Sequence, residues 1–252
     1  MIKAILSICF VVFTTIFSFA QEAPQLIAEG VTLEQKFKEP EALAKYQQAL
    51  QAQPSNVQAA VKCALVCCAM GTRETEKENK AKYYNQAKDY AATAILYGPN
   101  DVESNYAMAV VFGKLTETET SNNKVVEYVK GSRMYADKAL AINPNYGKAW
   151  NVLGQWHYEM LNLNAIKKAA VKVIYGGVGN SDIDTCIADL EKCKQLEPYY
   201  CLNYMSLAKA YRYNKEYQKS LEALQQCIKS PSLQLNDRTT KEDAKKLLVD
   251  WQ

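Results

Sequence analysis

Pro54, Pro99, Pro144 and Pro198 each close a similar phrase, YQQALQAQP, YAATAILYGP, YADKALAINP and LEKCKQLEP. Counting back from each proline, a small residue stands five places earlier (Ala49, Ala94, Ala139, Cys193) and another twelve places earlier (Ala42, Ala87, Ser132, Cys186). Tyr46, Ala91, Ala136 and Leu190 stand eight places earlier. An apolar stripe therefore runs at helical spacing until the proline stops the helix. Such a stripe must bury against a neighbour, and small residues at fixed slots let helices pack closely.

The prolines are spaced 45, 45 and 54 residues apart, and a shorter fifth unit ends near Pro231. Periods of this size indicate a solenoid of helical hairpins. The fourth unit places Trp150, Leu153 and Gly154 as W-x-x-L-G, and the fifth echoes it with Tyr204, Leu207, Ala208 and Tyr211. This resembles the tetratricopeptide repeat, a helix-turn-helix unit of about 34 residues. Ala60 and Asn105 replace the tryptophan in units two and three, which also carry extra residues. The polar inserts GTRETEKENK and TETETSNNK are expected to lengthen the turns there. Alternating β-branched runs are missing, and alanine, lysine, glutamate, glutamine and leucine fill the periodic segments, so the class is all-α. The expected architecture is a tetratricopeptide-like α-solenoid of about five helical hairpins with a C-terminal capping helix, one domain over residues 21–252.

The first twenty residues, MIKAILSICFVVFTTIFSFA, join one lysine to an apolar run and read as a cleaved signal peptide. On that reading the protein is exported, to the bacterial periplasm or outside the cell. A net charge of +3 with no long run of one sign gives no reason to expect nucleic acid.

Seven of the eight cysteines follow that run. Cys186, Cys193 and Cys227 fall on small-residue slots, where a thiol is a compact apolar filler. Cys193 to Cys201, across a turn between helices, is a geometrically possible disulfide. Cys63, Cys67 and Cys68 lack the spacing and histidine partners of a zinc site, so no metal is expected and no cofactor is implied.

His157, the single histidine, occupies a slot for a large residue and is read as a ring wedged inside its hairpin. Gly176, Gly177 and Gly179 lack the lysine and hydroxyl of a phosphate loop, and read as a turn before Ser181 or Asp182 caps the next helix. The preceding insertion, Leu163 to Tyr175, sets Ala165, Ile166, Ala169, Ala170, Val173 and Ile174 opposite Lys167, Lys168 and Lys172. That is an amphipathic helix, which covers an edge or docks on a partner or an anionic surface. Thr239 and Glu242 are spaced as a capping box, and Ala244, Leu247, Leu248 and Trp251 give the last helix one apolar face.

A closer likeness covers Ala139 to Trp251. The run from Ala139 to Pro144, then Gly154-Gln155-Trp156-His157-Tyr158, a basic insertion and a helix ending Glu197-Pro198 resemble the regulator of microtubule dynamics family. The continuation SLAKAYRYNKEY and the closing NDRTTKEDAKKLL are also similar to it. The resemblance implies an α-solenoid adaptor without enzymatic activity.

In the repeat that this chain resembles, the first helix of each unit lines the inner surface. In units four and five those positions are Lys148, Asn151, Gln155, Tyr158 and Glu159, then Leu202, Met205, Lys209, Arg212 and Tyr213. Polar and basic groups there would satisfy peptide carbonyls or a carboxylate, while Tyr158, Tyr213 and Met205 supply adaptable apolar area. The expected function is a non-catalytic scaffold of the cell envelope that binds a protein or peptide segment. A membrane-associated protein acting through the lysine-bearing insertion, and a thiol hydrolase using His157, are the alternatives. Membrane contact is not favoured, and the partner and oligomeric state are left open.

Overall fold

The structure, a computed structural model, describes residues 22–163 and 181–252. Among the described residues there are eleven helices and no strand. Helix α1 covers 22–35. It is followed by α2 (Glu39–Ala52), α3 (Val57–Arg73), α4 (Lys77–Tyr97), α5 (Val102–Leu115) and α6 (Asn122–Ile142). Then come α7 (Gly147–Asn162), α8 (Ile183–Leu196), α9 (Cys201–Tyr213), α10 (Tyr217–Lys229) and α11 (Asn236–Trp251). The first ten pair as five antiparallel hairpins, α1 with α2 through α9 with α10, and α11 closes the stack. This is the tetratricopeptide-like α-solenoid expected from the repeat.

The four prolines act identically. Gln53, Gly98, Asn143 and Glu197, each preceding a proline, leave the helical region and donate their N–H to Ala49, Ala94, Ala139 and Cys193 at 2.7–2.9 Å. Their own carbonyls then accept from Asn56, Asp101, Tyr146 and Tyr200 at 3.0–3.1 Å, closing a turn with proline at its second position. Asn56, Asp101 and Asp182 cap α3, α5 and α8 by accepting from the N–H three residues on.

Packing inside the first four hairpins follows complementary size. Where the first helix meets the second, unit one sets Gly30 on Tyr46 and unit four Gly154 on Leu190, whereas units two and three put alanine at both slots (Ala64 with Ala91, Ala109 with Ala136). A Cβ on Gly154 would lie 2.5 Å from Leu190 Cγ, and one on Gly30 2.4 Å from the Tyr46 ring. Glycine makes room for a large partner, whose burial contributes about 1.5–3 kcal/mol. His157 is buried as expected, its Nε2 3.8 Å from Asp189 Oδ2 on α8.

Three expectations are corrected. The insert of unit two does not extend its turn: α3 and α4 run to 17 and 21 residues and are separated only by residues 74–76. Continued helix satisfies backbone groups that a loop would leave to water. Thr239 and Glu242 do not form the start of the last helix, which begins at Asn236; Asp237 instead accepts from the Leu233 and Gln234 N–H groups at 2.8 and 2.9 Å. The cysteines at 63, 67, 68, 186, 193, 201 and 227 are free, and Cys201 faces Cys227 rather than Cys193. The antiparallel hairpin puts the start of α9 beside the end of α10.

Helix α11 does more than cap. Its Ala244, Leu247, Leu248 and Trp251 pack on the core of unit five. At its start, Asn236 accepts from Arg73, which also pairs with Glu39, and donates to the Ala69 carbonyl at 3.2 Å. The Arg238 guanidinium lies 5.0 Å from the Phe37 ring centre. The solenoid therefore curves far enough to bring its last helix onto its first two units.

The segment read as a signal peptide, the amphipathic insertion with Lys167, Lys168 and Lys172, and the three glycines at 176, 177 and 179 lie outside the described residues.

Candidate partner-binding site

First helices pack on first helices from unit to unit, α3 on α5, α5 on α7 and α7 on α9, so they lie on the inside of the curve. A chain of side-chain hydrogen bonds ties α7 to α9 there. Gln155 Nε2 donates to Asn151 Oδ1 and to Ser206 Oγ, both at 3.0 Å. Asn151 Nδ2 donates to Asn203 Oδ1 at 2.9 Å, and Asn203 Nδ2 to the Leu190 carbonyl on α8 at 2.9 Å.

This chain sorts the expected contact residues. Asn151 is buried and engaged, so it is a fastener and not a surface contact. Met205 is likewise buried, in the core of unit five, because α9 turns that position toward α10 and α11. Lys148, Gln155, Tyr158 and Arg212 are half-buried, while Glu159, Leu202, Lys209 and Tyr213 are exposed. Tyr158 and Tyr213 meet edge to face, ring centres 6.2 Å apart, and form the aromatic centre of the face. Arg212 is held between the rings of Tyr217 and Trp251, at 4.8 and 5.1 Å, so its guanidinium is steered by α10 and α11.

Further along the same side, Tyr106 and Tyr146 stand edge to face with ring centres 5.2 Å apart, and Tyr106 hydrogen-bonds Tyr200. Burial pushes the phenols of Tyr106 and Tyr146 up, so they stay neutral donors. This aromatic cluster at the starts of α5, α7 and α9 was not foreseen. The signal was present near the start of the first helix in units three, four and five, but a tyrosine there reads equally as core filling.

His157 has the Asp189 carboxylate against it, not a thiol. Burial lowers the His157 pKa and raises that of Asp189 to about 7. Burial also pushes the thiols of Cys67, Cys68, Cys186 and Cys193 up to about 12, which leaves them protonated fillers. Among the described residues, no group of three or more His, Cys, Asp and Glu side chains is placed to hold a metal. Among them, too, no helix is long and apolar enough to cross a membrane.

Comparison with solved structures agrees with the fold. A thermophilic tetratricopeptide repeat protein from Thermus thermophilus superposes with a TM-score of 0.63 at 16% identity, over 89% of this chain and 99% of that one. PilF of Pseudomonas aeruginosa gives 0.54 at 14% identity, over 92% and 93%. Among curated proteins, regulator of microtubule dynamics protein 2 from Homo sapiens is 25% identical over 176 residues, 69% of this chain and 43% of that protein. Protein 3 of Rattus norvegicus is 24% identical over 183 residues, 71% and 38%. The chain thus spans about two fifths of the length of the curated relatives it matches.

The expected export to a bacterial periplasm is corrected by these matches. The curated relatives are eukaryotic proteins named for microtubule dynamics. The apolar run within the first twenty residues reports affinity for an apolar environment and not a destination. The family model for regulator of microtubule dynamics protein 1-3 matches residues 21–252, well beyond the stretch from Ala139 in which the likeness was legible. This chain belongs to the family described as regulator of microtubule dynamics protein 1-3.

Proposed function

We propose that this chain is a non-catalytic scaffold whose inner face, centred on Tyr158 and Tyr213, docks a segment of a partner protein. The observation that carries the proposal is the pairing of those two rings on successive first helices, with Tyr158 half-buried and Tyr213 exposed beside Lys209 and Leu202, and with the Gln155–Asn151–Asn203 chain bracing them from below. Tyrosines fixed in this way offer large contact area at little cost in side-chain entropy. Lys148 and Lys209 add hydrogen-bond donors for backbone carbonyls or a carboxylate of the docked segment, while Gln155, its N–H groups held by Asn151 and Ser206, offers Oε1 as an acceptor. The relatives' names point to microtubule regulation as the process to test.

The test is cross-linked affinity purification with the wild-type chain and a Tyr158→Ala, Tyr213→Ala, Lys209→Glu variant that keeps the buried chain of hydrogen bonds. Loss of specific partners with retained helicity is the expected result. If the same proteins are recovered with both, the inner face of units four and five is not the docking site.

A further inference from the structure

Two thiols in unit five stand apart from the other cysteines of the described residues. Cys201 Sγ and Cys227 Sγ are 3.1 Å apart, both side chains fully buried, one in the first turn of α9 and the other in the last turn of α10. A disulfide needs about 2.05 Å between sulfurs, so closure asks for an approach of about 1 Å. By contrast, Cys186 donates to the Gly154 carbonyl at 3.1 Å. Cys63 and Cys67 lie one helical turn apart on α3, about 6 Å along its axis.

We propose that Cys201 and Cys227 are a site of reversible oxidation, forming an intrachain disulfide that staples the two helices of the last hairpin when the protein meets a peroxide. The reaction consumes two thiols and one hydrogen peroxide and gives one disulfide and two waters. The Cys201 thiolate attacks the peroxide oxygen, breaking the O–O bond to give a sulfenic acid and the first water. The Cys227 sulfur then attacks that sulfenic sulfur, and the hydroxyl leaves as the second water with the thiol proton.

Several surroundings favour this order. Cys201 is the first residue of its helix, where the dipole and free N–H groups favour a thiolate. The hydrogen bond from Cys227 lowers its pKa further. Lys241 on α11 donates to the Ser230 carbonyl, and Ser230 Oγ donates to the Cys227 carbonyl at 2.8 Å, so a cation stands near the pair, while burial and the Asp237 carboxylate oppose the thiolate. The last turn of α10 leads directly into exposed residues 231–234, so the route by which peroxide reaches the buried pair is at this end of the hairpin.

The experiment treats the folded full chain with hydrogen peroxide, alkylates the remaining thiols and maps peptides without reduction. The expected product is a peptide joining Cys201 to Cys227, two hydrogens lighter, together with a Tm raised by roughly 5–10 °C. A Cys227→Ala variant should lose both effects; it is expected to fold because alanine fills the same slot as Ala49, Ala94 and Ala139. The proposal is overturned if Cys201 links to another cysteine, if the joined peptide arises only in denaturant, or if peroxide leaves both thiols unreacted. A Tm shift retained by Cys227→Ala overturns it as well.

Discussion

Asn151 on α7 and Asn203 on α9 clasp each other through a 2.9 Å hydrogen bond, with side chains 2% and 0% exposed. Away from water such a bond cannot be replaced by solvent, so the pair fixes how unit four seats on unit five. The open face above it inherits that geometry.

Asn151→Ala is accordingly expected to cost about 1–3 kcal/mol, because Asn203 Oδ1 loses its donor while buried. Urea denaturation measures it. In a double-mutant cycle with Asn203→Ala the coupling should be about 0.5–1.5 kcal/mol, and additive losses would show that the clasp is not cooperative.

Gly154→Ala should destabilise by about 1–3 kcal/mol through the 2.5 Å approach to Leu190 Cγ. Adding Leu190→Ala recreates the alanine pair of units two and three. The double variant should then lose less than the sum of the two single losses, as read from thermal melts; strict additivity would refute the size rule.

Asp189 gives a pH signature. Its folded pKa of about 7 exceeds the ordinary 3.8, so the folded state binds the extra proton and stability falls as pH rises from about 4 to 7. Its causes are burial first, then Asp137 and Asp182 against it, with Arg133 opposing them. His157, whose pKa burial lowers, works the other way below its ordinary 6.5. Asp189→Asn should therefore gain on the wild type by on the order of 2 kcal/mol between pH 4 and pH 7.5. Chemical denaturation across that range checks the sign, and parallel curves would contradict it.

Lys215 and Phe37 both hold a left-handed backbone, φ 62° and 60°, where α9 and α1 turn into their partner helices. Lys215→Gly should stabilise by about 0.5–1 kcal/mol by relieving that conformation. Phe37→Gly relieves the same strain but removes the ring under Arg238, so it should yield no net gain. Comparing the two melting temperatures separates backbone strain from packing.

The hairpins and the proline-marked ends of their second helices were legible from residues such as Pro54, Ala49 and Tyr46, whereas the turn of unit two and the start of the last helix were not. Local terms dominate there: a proline forbids helix before it, and a period of 3.6 dictates a buried stripe. The face of units four and five was half legible. Tyr213 and Lys209 stand open and Tyr158 is half-buried, whereas Asn151 is buried against Asn203 and Met205 in the core of unit five, because packing between helices decides which residues of a stripe margin meet solvent.

By itself, then, the sequence determined a right-sized stack of helical pairs, since each unit carries its own stop signal and apolar stripe. Only the tertiary structure decided the contacts that span units. Asn236 meeting Arg73 and Ala69, and Cys201 meeting Cys227, depend on accumulated superhelical curvature and hairpin register, which sum small rotations over many residues and leave no mark in any one segment.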